Sequence, residues 1–339
     1  MGRWLVVRFL WLIVSLLGIT FMTFVVMGLA PVDRAQIEAT AAAQQGVFPD
    51  AHSRDAAVVR LRLGYGMVDD KTLEPLPLGP RYVAWLQNAA LLRFAGPNGD
   101  HAAIWRRLAD ALPVSALLGF LSLLVVFGVG MPLGAWIGMR AGSRTDKMVA
   151  RVMFVLLGVP EFLLAMLLLL AFAGAWLQWL PANGLRSNGS ERWPFWQQVS
   201  DFAAHLVLPV VVMSTGPLVL VTRFLRDSVA RTAKAPFATN LRALGLAPAT
   251  VRRRVVRNAS APLATLAGSL LPMLVAGSIV VENLFSLDGV GHLGFQAVLD
   301  QDHAMVMALV VITSLATLAS LVLSDLLHHL ADSRVRLRA

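Results

Sequence analysis

Hydrophobic positions gather into six long runs, at about 5–30, 114–139, 152–178, 203–224, 263–286 and 304–330. Runs of this kind meet the roughly 20 apolar residues that a helix needs to cross a bilayer. A spanning segment must satisfy its own backbone polar groups, so the pattern predicts an all-α membrane protein of six transmembrane helices. The polar stretches between the runs differ in charge. Residues 140–151 hold Arg140, Arg144, Lys147 and Arg151 against Asp146, and residues 223–262 hold nine Arg or Lys against Asp227. The alternate stretches have no basic excess: 31–113 balances nine Arg/Lys with nine Asp/Glu, 180–201 cancels, and 288–303 carries Asp288, Asp300 and Asp302 with no Arg or Lys. Basic loops stay on the cytoplasmic side. Both termini are therefore expected inside, with a large external loop between helices 1 and 2.

The chain divides into an N-terminal anchor helix (1–30), an external loop region (31–113) and a core of five further spans (114–339) with a cytoplasmic loop at 225–262. A cleaved signal peptide competes for the first segment, since Gly28 and Ala30 are small. The run is too long for a signal h-region, and Pro31 would follow the scissile bond, so an uncleaved anchor is expected. Within the external loop, Ala35–Gln45 is helix-prone, and Arg81-Tyr-Val-Ala-Trp-Leu86 is amphipathic. The loop reads equally as a solvated cap and as a docking surface for an external partner.

Proline and glycine punctuate the basic cytoplasmic segment. Pro236 suits the first turn of a helix and Gly245 its left-handed stop, and a second helix is expected from Pro248 through Arg257. Phe237, Leu241 and Leu244, at i, i+4 and i+7, give the first of these helices one apolar stripe. The run Leu241-Arg242-Ala243-Leu244-Gly245-Leu246, followed by Val251, Arg257-Asn258-Ala259 and Pro262, resembles the cytoplasmic loop of binding-protein-dependent ABC importer permeases, in the dipeptide/oligopeptide/nickel branch. The resemblance continues through Gly277-Ser-Ile-Val-Val-Glu282, Phe285, Gly289-Val-Gly291 and Asp302, and covers most of the chain from Leu112 onward. Thr239-Asn240-Leu241 stands where the family's general signature has Glu-Ala-Ala. Ala111 and Ser115 stand where the branch usually has Arg and Thr.

That resemblance implies a non-catalytic permease in a bacterial inner (cytoplasmic) membrane, paired as a heterodimer with a second, similar permease. It further implies two ATPase subunits below, which would bind ATP and Mg, and a substrate-binding protein above. By analogy the cargo is a peptide or similar small solute. The chain itself implies no cofactor, and its partners besides these proteins are membrane lipids. Phe237, Leu241, Arg242, Ala243, Leu244, Gly245 and Leu246 are the expected ATPase-coupling residues.

Inside the apolar runs the polar exceptions are the candidates for a solute path or gate: Pro160, Glu161, Ser214, Thr215, Ser278 and Glu282. Pro160 would open the third helix locally, and an intramembrane carboxylate such as Glu161 is a functional candidate, although a paired bundle acid is the bland alternative. An ion-coupled secondary transporter using Glu161 is the competing function, yet no second half repeats the first. Lys71-Thr72 lacks the glycines of a phosphate-binding loop, and no hydrolase motif occurs. With no cysteine in the chain, thiol and disulfide chemistry is excluded. The net charge of +9 reflects topology rather than nucleic-acid binding. His292 and His303 lack metal-ligand spacing, His328 and His329 point apart on a helix, and Asn188-Gly-Ser is a chance glycosylation triplet.

Overall fold

The computed structural model describes residues 2–29, 34–47, 50–69, 71–94, 100–174, 176–272 and 277–331. The described residues are helical, with a single isolated bridge between Val68 and Pro75. They form two compact units, residues 1–112 with 292–316, and 113–291 with 317–338.

In the first unit α1 (Gly2–Gly28) is joined by α2 (Arg34–Gln44), α3 (Ala51–Gly64) and α4 (Leu78–Ala90). The helix-prone stretch at 35–45 and the amphipathic stretch at 81–86 are thus helical, and α3 is an addition to the expectation. Asp50 caps α3 by accepting from the Ser53 amide at 2.8 Å. The Tyr65 hydroxyl donates to Glu38 at 2.8 Å, tying the end of α3 to α2. Tyr82 stacks on Trp85 and meets Phe21 and Phe24 edge-on, while its hydroxyl lies 2.9 Å from that of Thr20. This aromatic cluster fastens α4 to α1.

The second span begins earlier than its hydropathy suggested. Helix α5 runs over His101–Gly138, taking in Ile104-Trp-Arg-Arg-Leu and passing through Pro113 and Pro132. In the second unit it packs on α8 (Phe195–Lys234), a 40-residue helix. Gly130, Gly134 and Gly138 of α5 face Thr222, Leu225, Arg226 and Val229 of α8; a Cβ on Gly134 would lie 2.6 Å from the Thr222 carbonyl oxygen. Small residues four apart allow such backbone approach between membrane helices. Helix α8 runs on through Pro209 and Pro217.

The third and fifth runs depart from single straight spans. Helix α6 (Arg144–Gly158) stops at Val159-Pro160, and α7 (Glu161–Leu168) continues into a π turn at Leu169–Ala173. The axes turn by 100° at this break. Proline lacks the donor that would continue α6, and it disfavours the helical region for Val159, which is extended at φ −85°, ψ 119°. The fifth run contains α11 (Leu263–Leu270) and α12 (Ile279–Leu284), with Gly277 at φ +64° between them. The acidic turn after it carries α13 (Val290–Leu299), and α14 covers His303–Ala331. Among the described residues four helices are long and apolar enough to span a membrane, or five if the bent α6–α7 pair counts as one.

Among the described residues, the two largest buried clusters organise the second unit. One gathers Leu118, Ala165, Leu206, Met213, Val281 and Phe285. The other joins Val126, Val221, Leu225 and Val229 to the cytoplasmic segment through Ala238, Leu241, Val251, Val255 and Ala259.

Candidate functional site

Three regions of the second unit carry the chemistry. The first is a pocket of about 340 Å³ where α6 breaks into α7, bounded also by α8 and by Gly277-Ser278. Glu161, Thr215 and Ser278 line it, among apolar neighbours that include Leu157, Val159 and Met213. Glu161 is the first residue of α7, where the helix dipole favours a negative group. The Ser278 hydroxyl donates to its carboxylate at 3.3 Å. Pro160 sets the break that brings Glu161 here. Thr215 returns its own hydroxyl hydrogen to the Val211 carbonyl at 2.7 Å, leaving its oxygen lone pairs for the pocket.

Ser214 and Glu282 do not join this pocket. Ser214 is buried and donates to Val211 at 3.1 Å. Glu282 is fully buried in α12. Its Oε1 accepts from the Ser115 hydroxyl at 2.8 Å and from the Ser278 amide at 3.2 Å, and the Ser115 oxygen in turn accepts from the Val290 amide at 2.8 Å. Glycines at 277, 289 and 291 make room for the carboxylate; a Cβ at Gly277 or Gly289 would collide with it. The motif glycines and the acid are therefore one construction: a buried carboxylate holding α5, α12 and the 289–291 turn together. Pocket and cradle touch at Ser278, which gives its amide to Glu282 and its hydroxyl to Glu161.

The third region is the basic segment that follows α8. Helix α9 (Pro236–Ala243) starts on Pro236, Gly245 is left-handed at φ +71°, and α10 (Pro248–Ala259) starts on Pro248, as the sequence punctuation predicts. The apolar stripe divides, however. Leu241 is 6% exposed and turned into the chain's own core, whereas Leu244 is 76% exposed and Phe237 39%. Leu246 is half-buried against the same core. Ala243 and Arg242 are exposed, with the Arg242 guanidinium donating to the Ala233 carbonyl at 3.0 Å. In α10, Val251 and Val255 point inward and Arg252, Arg253 and Arg254 outward. The Ser228 hydroxyl donates to the Ala259 carbonyl at 2.8 Å, pinning α10 to α8.

Sequence reasoning missed one ion pair. Asp146, 3% exposed in its side chain, accepts from Arg226 Nε at 2.9 Å and Nη2 at 2.6 Å and from the Gly142 amide at 2.8 Å. Those guanidinium bonds hold the Asp146 carboxyl below the usual carboxylate range. Arg226 also meets Asp227 at 2.6 Å, and its own pKa is raised by both carboxylates. In the sequence Asp146 and Arg226 stand 80 residues apart and show only as charges in two separate basic stretches.

Residues 130–337 match the family of inner membrane components of binding-protein-dependent transport systems. The chain belongs to that family. It is a multi-pass inner membrane protein and the permease subunit of an importer that works with a separate binding protein. This inner membrane component is 31% identical over 258 residues to the peptidoglycan transport system permease protein YejB of Agrobacterium fabrum, covering 75% of this chain and 71% of that one. It is 28% identical over 362 residues to the inner membrane ABC transporter permease protein YejB of Escherichia coli O157:H7, and 25% identical over 343 residues to the oligopeptide transport system permease protein AppB of Bacillus subtilis. Both of these alignments cover 99% of each chain. The ion-coupled alternative finds no support in this kinship.

Proposed function

We propose that this permease imports peptides or peptide-bearing solutes as one half of a heterodimer, driven by two ATPase subunits that bind ATP and Mg and fed by an external substrate-binding protein. The names of its relatives, which carry oligopeptide, dipeptide and peptidoglycan transport, support the cargo class. The observation that carries the coupling is the α9–α10 pair: its inner face is built into the core at Leu241 and Val255, and its outer face offers Phe237 and Leu244. An exposed apolar residue beside a left-handed helix stop suits a helix-in-groove contact. ATPase closure would draw α9 inward and move α8 with it, and hydrolysis would reset both. Pro160, Glu161, Thr215 and Ser278 form part of the solute path; Ser214 and Glu282 support it from behind.

We place the chain across the membrane six times, with both termini cytoplasmic and 31–113 outside; the broken α6–α7 and α11–α12 pairs each count as one span. Two experiments test the reading. Leu244→Asp changes only an exposed position, so the chain should insert normally yet lose most ATPase co-purification and solute-stimulated ATP hydrolysis. Retention of both at wild-type levels would refute the coupling face. For topology, an impermeant maleimide applied to intact cells should label cysteines placed at Asn98 or Asn188 but not at Ser143 or Thr239. External labelling at Ser143 would overturn it.

A further inference from the structure

The pocket at the α6–α7 break contains one charged group. Glu161 lines it, and among the described residues no Lys, Arg or His does. Ser278 gives its carboxylate one hydrogen bond, at 3.3 Å, and a carboxylate offers about four acceptor positions. The carboxylate is flanked by the apolar side chains of Leu157, Val159 and Met213 yet open to the pocket, and a cation entering there would be drawn to it. The remaining lining suits one kind of cation. Thr215 and Ser278 bring hydroxyl oxygens whose hydrogens are already engaged, so they can only accept; the Ser278 oxygen already takes the Val281 amide at 3.2 Å and has one lone pair left. A group with several donors and no acceptor completes such a set, and a primary ammonium has three donors. The volume, about 340 Å³, is at the small end of ligand pockets. It fits an ammonium with a short apolar neighbour, which the Leu157 and Met213 walls would cover.

We propose that this pocket is a cation-selecting station, in which Glu161 receives a primary ammonium of the solute while Thr215 and Ser278 accept its other hydrogens. The assignment deepens the importer reading and rests on it: on a peptide, the group received is the amino terminus or a lysine side chain. Solutes without an ammonium would meet an unpaired carboxylate there and pass poorly. Because Ser278 also gives its amide to Glu282, filling the pocket is felt directly by the buried cradle.

The absence of native cysteine makes a direct test available. Single cysteines are introduced at Thr215 or Leu157, both lining the pocket, in the assembled importer held in neutral phosphatidylcholine nanodiscs. Each is treated with a primary-ammonium methanethiosulfonate and with its sulfonate counterpart, with nucleotide absent and with nucleotide trapped. Modification of this chain is read by mass spectrometry, and rates are normalised to those of a free thiol. A unit charge a few ångströms away, even at an effective dielectric near 20, should favour the ammonium reagent by about tenfold or more. Glu161→Gln should bring the ratio to that of the free thiol, and Glu161→Asp should retain most of it. A ratio indifferent to Glu161→Gln at both positions overturns the proposal, and so does failure of either cysteine to react in both nucleotide states. These outcomes leave the importer reading untouched, since that stands or falls on ATPase co-purification.

Discussion

Ser115→Ala isolates what the buried carboxylate contributes. The substitution removes the hydroxyl that donates to Glu282 at 2.8 Å and that accepts from the Val290 amide at 2.8 Å. It adds no atom and opens little space, so the cost is almost wholly electrostatic. A hydrogen bond to a charged group is worth about 1.5–3 kcal/mol, and an orphaned buried amide costs about 1–3 kcal/mol. Hydrogen bonds between membrane helices average nearer 0.6 kcal/mol, because the unfolded chain in the bilayer also finds partners. Weighing the two, we expect a loss of about 2–3 kcal/mol. For a chain of this size that is about 3–4 °C in melting temperature. The control lies two turns along the same helix: Ser122 is equally buried, and its hydroxyl has no partner. Ser122→Ala should be neutral or slightly stabilising. Thermal unfolding of both variants in one detergent, followed by intrinsic tryptophan fluorescence at a fixed scan rate, gives the comparison. If Ser115→Ala melts within 1 °C of Ser122→Ala, the cradle holds nothing together.

Gly134→Val should disrupt the α5–α8 contact and sharply lower the yield of folded protein, because its Cβ would press on the Thr222 carbonyl; Gly128→Val, which meets open space, should be harmless in the same size-exclusion assay. Asp146 is less protonated in the folded than in the unfolded chain, so its contribution is complete above the unfolded carboxylate pKa and is lost as pH falls through the lowered folded value. Asp146→Asn should therefore melt lower than wild type at pH 7, by a gap that narrows toward pH 3. Leu241→Asp buries a carboxylate in the core shared by α8 and α10. It should expose the α9–α10 segment to limited proteolysis, which Leu244→Asp should not.

Local chemistry made the cytoplasmic segment legible. Pro236, Gly245 and Pro248 act on the backbone at their own positions, so their effect survives whatever surrounds them. Pro160 was legible in kind but not in degree: a missing donor predicts a local opening, while the 100° turn depends on what α7 packs against. Pro209 and Pro217 do not end α8, since neighbouring helices can support a helix through a proline. The stripe at Phe237, Leu241 and Leu244 announced an apolar face without saying that Leu241 packs on its own chain. Glu282 read as a pathway group because its partner Ser115 lies 167 residues away. Gly130, Gly134 and Gly138 did carry a readable signal, three small residues at intervals of four, and it points to the helix contact that they make.

The length of α8 has a mechanical consequence. Forty residues at 1.5 Å each make a rod of about 60 Å. With α9 and α10 fastened at its C-terminal end, a tilt of about 5° displaces the opposite end by about 5 Å. That is one helical pitch, obtained without melting a hydrogen bond. Small strokes at the α9–α10 end would thus reach the far end of the rod directly rather than be relayed through loops.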